Sequence, residues 1–441
     1  METGYLAWMM LFVSIGLIII GCPVGIGLAS VGIVFGIIGW GGMGLISMFP
    51  DRIYSTMTTF ELAAVTLFVL MGVVLEGSGV SDMLFESLRL MLSRVRGGLL
   101  QCTMLLATVL AACTGISGAS VVTLGMIALP TMMKHKYDKT LVTGTICAGG
   151  GLAVIIPPSI MLVLYGPIAG ISTADLFMGA VIPGLMLSAS YMIYIWIRCV
   201  INPNLGPVVS LEERGQLSWG QLLLFFLKSF LPTALLIVGV LGSILVGFAS
   251  PTEAAGVGSL LSLLIAIYYR KLNKDNLLKI LYTTVRVCGM IMLIVLGAGL
   301  FTSVFVGIGG ADLIAAYLLK LKAFPILLLC TMLAIVLFLG CFMDWIAILY
   351  ITAPIFRGIV SQMGWDPLWF AMLYCITLQI SYVTPPFSYS VFYLKGIVPP
   401  EIKLRDIYNG VLPYIPIQCA ILVILYFLPI LSTWLPSIRV K

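Results

Sequence analysis

The sequence carries one proline-broken phrase twice, as IIPPSIMLVLY at residues 155–165 and as VTPPFSYSVFY at residues 383–393. Each phrase lies inside an apolar run that otherwise predicts a helix. A proline within a helix removes one backbone hydrogen bond and clashes with the preceding turn, which costs about 3 kcal/mol. A chain that accepts this cost twice in the same context is predicted to use the exposed backbone at both breaks.

The composition is that of an integral membrane protein. Of the 441 residues, 61% are hydrophobic and 9% are charged, whereas about 25% are charged in soluble domains. Long apolar segments favour helices over a barrel, whose strands alternate and look weak in hydropathy. The net charge of +6 is spread over short loops, which predicts cytoplasmic anchoring and not a nucleic-acid surface.

The landmarks around the breaks recur along the chain. Pairs in the same order are separated by 224 to 230 positions: Pro23 with Pro251, Gly79 with Gly309, Pro130 with Pro354, Tyr137-Asp138 with Trp365-Asp366, Pro157 with Pro385, and Tyr165 with Tyr393. Any one pair is uninformative, but six in order indicate a duplication. We therefore predict a first repeat over 1–200, a polar cytoplasmic linker over 201–224 and a second repeat over 225–441.

Each predicted repeat contains a segment with a polar or glycine-rich centre. The first, 98–133, is interrupted by CTGISGAS at 113–120, and the second, 324–356, by GCFMD at 340–344. Each arm has about 15 residues, which is short for the roughly 20 that a full span needs. These segments are predicted to be re-entrant hairpins, each followed by a broken helix, at 140–168 and 368–394.

Basic residues predict the orientation. Those flanking the first hairpin place both of its ends in the cytoplasm: Arg89, Arg94, Arg96, Lys134, Lys136 and Lys139. Five full spans per repeat are an odd number, so the second repeat is inverted and both termini are periplasmic. The predicted fold class is an all-α polytopic membrane protein with two inverted repeats, about ten transmembrane helices and two re-entrant helical hairpins.

Inverted repeats with broken helices are typical of secondary transporters, in which carbonyls at a break coordinate sodium and helix N-termini attract anions. In the second half the candidate residues are Gly340 and Asp344 at the hairpin tip, with Ser381, Thr384 and Phe387 at the break. Asp344 lies in an apolar run, where a carboxylate is costly and indicates function. The alternative for Asp344 is a helix-capping role.

The candidates in the first half follow from the offset and from the polar tip. For sodium they are Ala153, Ile156 and Ser159 near the break and Ser117 and Ser120 at the tip. Candidates for contact with substrate are Thr114, Ser117, Ser159, Asp344 and Ser388. The alternative for any of the small residues is close packing where helices cross.

The chain resembles a known family over essentially its whole length. The resemblance rests on CTGISGAS, AGGGLAVIIPPSIMLVLYG, LFMGAVIPGLM, FASPTEAAGVG and GCFMD followed by TPP. The family is the large membrane subunit, DctM-like, of the tripartite ATP-independent periplasmic (TRAP) transporters. It implies a sodium-driven elevator transporter in the bacterial inner membrane that takes up organic acids such as C4-dicarboxylates, sialic acid or related sugar acids.

The resemblance also implies partners and ligands. A periplasmic solute-binding protein (DctP-like) would deliver substrate, and a small four-helix membrane subunit (DctQ-like) would complete the scaffold. The first repeat begins within ten residues of Met1, so the small subunit is expected to be a separate chain. The family's sodium ligands carry over to Gly340, Ser381, Thr384 and Phe387, and on the other side to the Ser117 tip and the Ile156 break.

The chain departs from the family pattern at the second break. The family usually has glycine before and after TPP, where this chain has Ser381 and Ser388. The predicted function is nevertheless a sodium-coupled, binding-protein-dependent organic-acid importer that needs no organic cofactor. The alternatives are a binding-protein-independent sodium/organic-anion symporter and a membrane-embedded enzyme. The enzyme is disfavoured because the single histidine, His135, lies in a charged loop.

Overall fold

A computed structural model describes residues 2–208 and 218–438 as helices joined by short turns, with no strand in those ranges. In the first part of the chain the helices are α1 (Glu2–Ile19), α2 (Val24–Met57), α3 (Glu61–Gly77), α4 (Val80–Leu92), α5 (Gly98–Thr114), α6 (Ser117–Lys134), α7 (Lys139–Gly151), α8 (Ile160–Ala169) and α9 (Thr173–Ile201). In the second part they are α10 (Trp219–Leu245), α11 (Pro251–Tyr268), α12 (Lys274–Gly307), α13 (Gly310–Leu319), α14 (Pro325–Gly340), α15 (Trp345–Met363), α16 (Pro367–Val383), α17 (Tyr389–Lys395), α18 (Leu404–Val411), α19 (Tyr414–Phe427) and α20 (Ile430–Ser437).

Several of these helices are long and apolar enough to cross a membrane. Within the described ranges six meet both criteria, or seven if α3 and the preceding part of α2, which bend by 50° at their junction, count as one span. Further apolar helices, including the first arm of each predicted hairpin (α5 and α14), are shorter, whereas α15, the second arm of the second hairpin, is among the six. The protein is thus an all-helical multi-pass membrane protein, and the number of about ten spans stays a prediction.

The paired landmarks start equivalent helices for physical reasons. Asp138 caps α7 by accepting a hydrogen bond from the Leu141 amide at 2.8 Å, and Asp366 caps α16 by accepting from the Leu368 amide at 2.8 Å. Gly79 and Gly309 precede α4 and α13 with φ of 73° and 79°, a region that favours glycine. An aspartate therefore caps both α7 and α16, and a glycine precedes both α4 and α13, in the same order in the two parts of the chain.

The predicted hairpins appear as pairs of packed helices. Two residues separate α5 from α6, and four residues separate α14 from α15. The helices of each pair contact each other, so the chain folds back at both polar centres. The second hairpin extends beyond the predicted end at residue 356, because α15 continues to Met363.

Both double prolines interrupt helical structure. After α7, a 3₁₀ turn over Leu152–Val154 leads into the non-helical Pro157-Pro158 segment, and α8 resumes at Ile160. The second interruption lies between α16 and α17 and contains Pro385-Pro386. In each, the two prolines are joined by a cis peptide bond.

Some boundaries differ from those predicted. Helix α10 starts at Trp219, so the last part of the predicted linker 201–224 is helical, while α9 ends at Ile201 and a 3₁₀ turn follows over Pro203–Leu205. Residues 209–217 of that linker lie outside the described residues, as do both chain ends. Helix α12 starts at Lys274, well before its apolar part, because Asn273 accepts a hydrogen bond from the Asn276 amide at 2.8 Å and caps a polar first turn.

Close contacts at glycines hold pairs of neighbouring helices together. A Cβ at Gly297 of α12 would lie 2.0 Å from the Gly25 carbonyl oxygen of α2. A Cβ at Gly144 of α7 would lie 2.0 Å from the Gly410 carbonyl oxygen of α18. Such distances exclude a side chain, so these backbones touch directly, as small residues permit at helix crossings in membranes.

Candidate functional site

Each hairpin tip lies against the break in the same part of the chain. At the first tip Gly115 has φ of +60°, and a Cβ there would lie 2.7 Å from the Pro158 carbonyl oxygen and 3.3 Å from the Ile160 amide nitrogen. At the second tip a Cβ on Gly340 would lie 2.3 Å from both Cβ and Oγ of Ser381. Both contacts therefore require glycine.

The two tips meet around one small cavity of about 60 Å³. Its walls come from the first tip, the first break, the middle of α12, the second tip and the helix ends around the second break: Gly115, Ile116, Ser117, Gly118, Val154, Ile160, Met161, Val287, Met290, Ile291, Ile294, Asp344, Trp345, Ile346, Tyr382 and Tyr393. A water molecule needs roughly 10–15 Å³ of such space. The cavity therefore has room for an ion or a few waters.

Asp344 supplies the carboxylate of this cavity. It also caps α15, because its Oδ1 accepts a hydrogen bond from the Ile346 amide at 2.9 Å. The carboxylate interacts electrostatically with Tyr382, Tyr389 and Tyr393. Asp344 therefore has the helix-capping role that was the alternative, and its side chain also lines the cavity. The two roles are compatible, because a carboxylate has two oxygens and can accept from the amide and contact a ligand at once.

The polar residues of the first tip differ in their hydrogen bonding. The hydroxyls of Thr114 and Ser120 are 2.9 Å apart and bonded to each other, and Thr114 also donates to the Leu110 carbonyl at 3.0 Å. Ser117 lines the cavity, and its buried Oγ has no hydrogen-bond partner among the described residues. Ser117 is therefore the hydroxyl at this tip that is available to a ligand.

The first break is enclosed by protein. Ala153, Ile156 and Ser159 are all buried. The Ser159 hydroxyl donates to the Val154 carbonyl at 2.6 Å, so it stabilises the turn and does not line the cavity. Of this break, Val154 and Ile160 reach the cavity wall.

The second break is more open. Pro385 and Pro386 are exposed, whereas both prolines of the first break are buried. The Ser381 hydroxyl donates to the Leu378 carbonyl at 2.6 Å, and that of Thr384 to the Ile380 carbonyl at 2.7 Å. The two breaks thus differ in solvent exposure as well as in sequence.

Two further predicted residues lie just after the second double proline. Phe387 is 40% exposed, with its ring centroid 6.3 Å from that of Phe342 at the second tip. Ser388 is buried beside Tyr408, whose hydroxyl donates to the Pro386 carbonyl at 2.8 Å. Neither lines the cavity, so the structure brings Ser117 and Asp344 together there and leaves the other predicted residues around it.

Sequence reasoning missed two parts of the cavity. The wall from α12 is built of Val287, Met290, Ile291 and Ile294, which carry no chemical signal in the sequence. Tyr382 and Tyr393 were also not predicted to line the cavity, although Tyr393 ends the repeated phrase. A Cβ at Gly118 would lie 2.9 Å from its ring, so the first tip packs on the helix that follows the second break.

Comparison with known proteins identifies the family. Residues 9–431 match the family described as "Tripartite ATP-independent periplasmic transporter, DctM component". The chain belongs to this family. The family consists of transporter permeases, so the prediction of a transporter rather than an enzyme is confirmed.

Similar DctM-type proteins are known from several bacteria. The C4-dicarboxylate TRAP transporter large permease protein of Pseudomonas aeruginosa is 30% identical over 88% of both chains, and that of Vibrio cholerae is 28% identical over 96% of both. The sialic acid TRAP transporter large permease protein of V. cholerae is 26% identical, over 97% of this chain and 98% of its own.

The fold also has a solved counterpart. The crystal structure of the Alcanivorax borkumensis YdaH transporter aligns with a TM-score of 0.60, over 90% of this chain and 89% of that one, at 15% identity. At this identity the likeness concerns the fold alone. It agrees with an all-helical membrane transporter.

Proposed function

We propose that this chain is the large permease subunit of a sodium-coupled, binding-protein-dependent importer of organic acids, such as a C4-dicarboxylate, sialic acid or a related carboxylate. The observation that carries the proposal is the convergence of both hairpin tips and both broken helices on one cavity, in a chain whose relatives are named for these acids. Such convergence near the middle of the membrane is typical of secondary transporters.

Sodium coupling is supported by the oxygen atoms around the cavity. Asp344 and Ser117 provide a carboxylate and an unpartnered hydroxyl. The Pro158 carbonyl lies against the first tip and the Pro385 carbonyl against the second. A carboxylate among apolar helices is costly unless it is paired, and a cation offsets that cost. Sodium bound at the tips and breaks would hold each hairpin against its break.

Transport requires the cavity to open. Pockets for organic ligands measure about 300–1,000 Å³, so the 60 Å³ cavity is too small for an organic acid with the tips closed. We infer an elevator movement in which the hairpins and broken helices shift together against α2 and α12. At the exposed second break Tyr408 donates to the Pro386 carbonyl at 2.8 Å. Tyr408 closely follows Lys403 and Arg405, which the positive-inside rule places in the cytoplasm, and this supports an inward-facing state.

The partners follow from the family. A small four-helix membrane subunit would flank the permease, a periplasmic solute-binding protein would deliver the acid, and bacterial inner-membrane lipids would surround both, with the chain termini in the periplasm. One relative, the isethionate TRAP transporter permease protein DctMQ of Oleidesulfovibrio alaskensis, is matched over 63% of its length.

Reconstitution tests this assignment. A relative in Escherichia coli, 26% identical, is named as a 2,3-diketo-L-gulonate TRAP transporter large permease protein. Proteoliposomes with the permease and its small subunit should take up labelled succinate, sialic acid or 2,3-diketogulonate only when the matching binding protein is present outside. Uptake that is equally fast without the binding protein would favour the symporter alternative. Failure to take up any carboxylate while both partners bind would refute the substrate class.

A further inference from the structure

Arg52 holds a charge without a partner among apolar helices. It lies in the last two turns of α2, and its Nε is buried without a hydrogen bond. No ion pair joins it to a carboxylate within the described ranges. Arg52 as a whole is half-exposed. Charged side chains on helices that pack among apolar spans are uncommon and usually have a functional partner.

The guanidinium occupies a slot between α12 and α15. A Cβ at Gly299 would lie 3.3 Å from Arg52 Nε and 3.6 Å from Nη2, so a glycine makes room for it. On the other side, the guanidinium lies within electrostatic range of the Tyr350 side chain. The backbone carbonyls of these two slot residues already accept from hydroxyls: Thr302 donates to the Tyr350 oxygen at 3.0 Å, and Ser303 donates to the Gly299 oxygen at 2.9 Å.

This slot adjoins the cavity between the tips. Gly299 lies five residues beyond Ile294 on α12, and Tyr350 lies six residues beyond Asp344; Ile294 and Asp344 both line the cavity. These separations are about 8–9 Å along the helices. The guanidinium, which is level with Gly299, therefore lies one to two helical turns beyond the cavity wall.

The slot is on the side of the cavity opposite the basic helix ends. Helix α12 starts at Lys274, next to Arg270 and Lys271, which the positive-inside rule places in the cytoplasm. It then passes the cavity at Val287 to Ile294 before it reaches Gly299. Arg52 therefore lies on the periplasmic side, where substrate enters.

We propose that the Arg52 guanidinium binds a carboxylate group of the transported acid at the periplasmic end of this cavity. The inference rests on the proposed function. A guanidinium presents planar paired donors that match a carboxylate, whereas an ammonium is a point charge. Asp344 repels the same carboxylate, so the acid is oriented with its carboxylate toward Arg52 and sodium toward Asp344.

Uptake kinetics provide the first test. Arg52→Met and Arg52→Lys are compared with Lys274→Met, which removes an exposed charge at the far end of α12. With succinate, sialic acid and 2,3-diketogulonate as probes, Arg52→Met is expected to raise KM about tenfold or more, as for loss of a charge-assisted hydrogen bond. Arg52→Lys should recover only part of the affinity, and Lys274→Met should match the wild type.

Thermal unfolding of the purified permease with its small subunit gives a readout independent of transport. A transported acid should raise the melting temperature of the wild type above that in equal chloride, and Arg52→Met should abolish this rise. Without acid, Arg52→Met should melt no lower than the wild type, because it removes an unpaired charge.

The outcomes separate the two proposals. An unchanged KM with an unchanged acid-induced rise in Arg52→Met would overturn the role of Arg52 and leave the importer assignment intact. A lower melting temperature without acid, together with a retained rise, would show that Arg52 is structural. No uptake and no rise in the wild type with any of the three acids would overturn both proposals.

Discussion

The contact between Gly340 and Ser381 offers a quantitative test of how the second hairpin holds its break. Gly340→Ala would place a Cβ 2.3 Å from both Cβ and Oγ of Ser381, which is buried. Carbon contacts are ordinarily about 3.5–4.0 Å, so the tip and the break must separate by more than about 1 Å.

The expected cost follows from opposing effects. Overpacking a closely fitted site costs about 1–3 kcal/mol, while replacing glycine with alanine in a helix returns about 0.5–1 kcal/mol. Taken at mid-range, the net loss is about 1 kcal/mol, a factor of roughly 5–10 in the equilibrium between closed and separated tips. Gly358→Ala, on the same hairpin, meets nothing within 4 Å and serves as the control.

Two measurements check this prediction. The melting temperature should fall in Gly340→Ala, stay level or rise in Gly358→Ala, and recover when Ser381→Gly is added to Gly340→Ala. Initial uptake rates should require more sodium for half-saturation in Gly340→Ala. Wild-type stability and sodium dependence in Gly340→Ala would refute the close contact between tip and break.

Three further substitutions probe the cavity and its supports. Asp344→Asn keeps an oxygen for the cap of α15 but removes the charge; uptake should fall by about tenfold or more with little loss of stability, and wild-type uptake would reduce Asp344 to a cap. Gly144→Ala would press on the Gly410 carbonyl at 2.0 Å and should cost about 2–3 kcal/mol, read as a lower melting temperature; an unchanged value would contradict the direct crossing of α7 and α18. Thr123→Val removes the hydroxyl that donates to the Glu76 carboxylate between α6 and α3 and should cost about 1–3 kcal/mol, whereas Thr123→Ser should restore stability; equal stability of the two variants would contradict that hydrogen bond.

Sequence patterns predicted the local features that glycine, proline and capping residues determine. The double prolines interrupt helices, the segment 113–120 turns the first hairpin, and the helices that lead into the breaks start within a residue of the predicted 140 and 368. Each of these positions depends on backbone conformation or on a hydrogen bond to a neighbouring amide, so the information lies within a few residues.

The assembly of the site was less accessible from sequence. The offset between the landmarks placed Ala153, Ile156 and Ser159 at the first break, but it carries no information about which of them faces the cavity; Val154 and Ile160 do. The apolar wall from α12 and the slot of Arg52 depend on contacts between distant helices. A row of aliphatic residues looks the same in the sequence whether it faces lipid, protein or a ligand. Only the packing of the helices determines which of the three it contacts.

The central claim is that sodium drives the movement of an organic acid through the cavity between the two hairpin tips. The most direct measurement is accumulation of labelled acid in proteoliposomes that contain the permease and its small subunit, with loaded binding protein outside and the sodium gradient imposed inward, absent or outward. Accumulation above the external concentration only with the inward gradient is predicted. Equal accumulation under all three gradients would contradict sodium coupling.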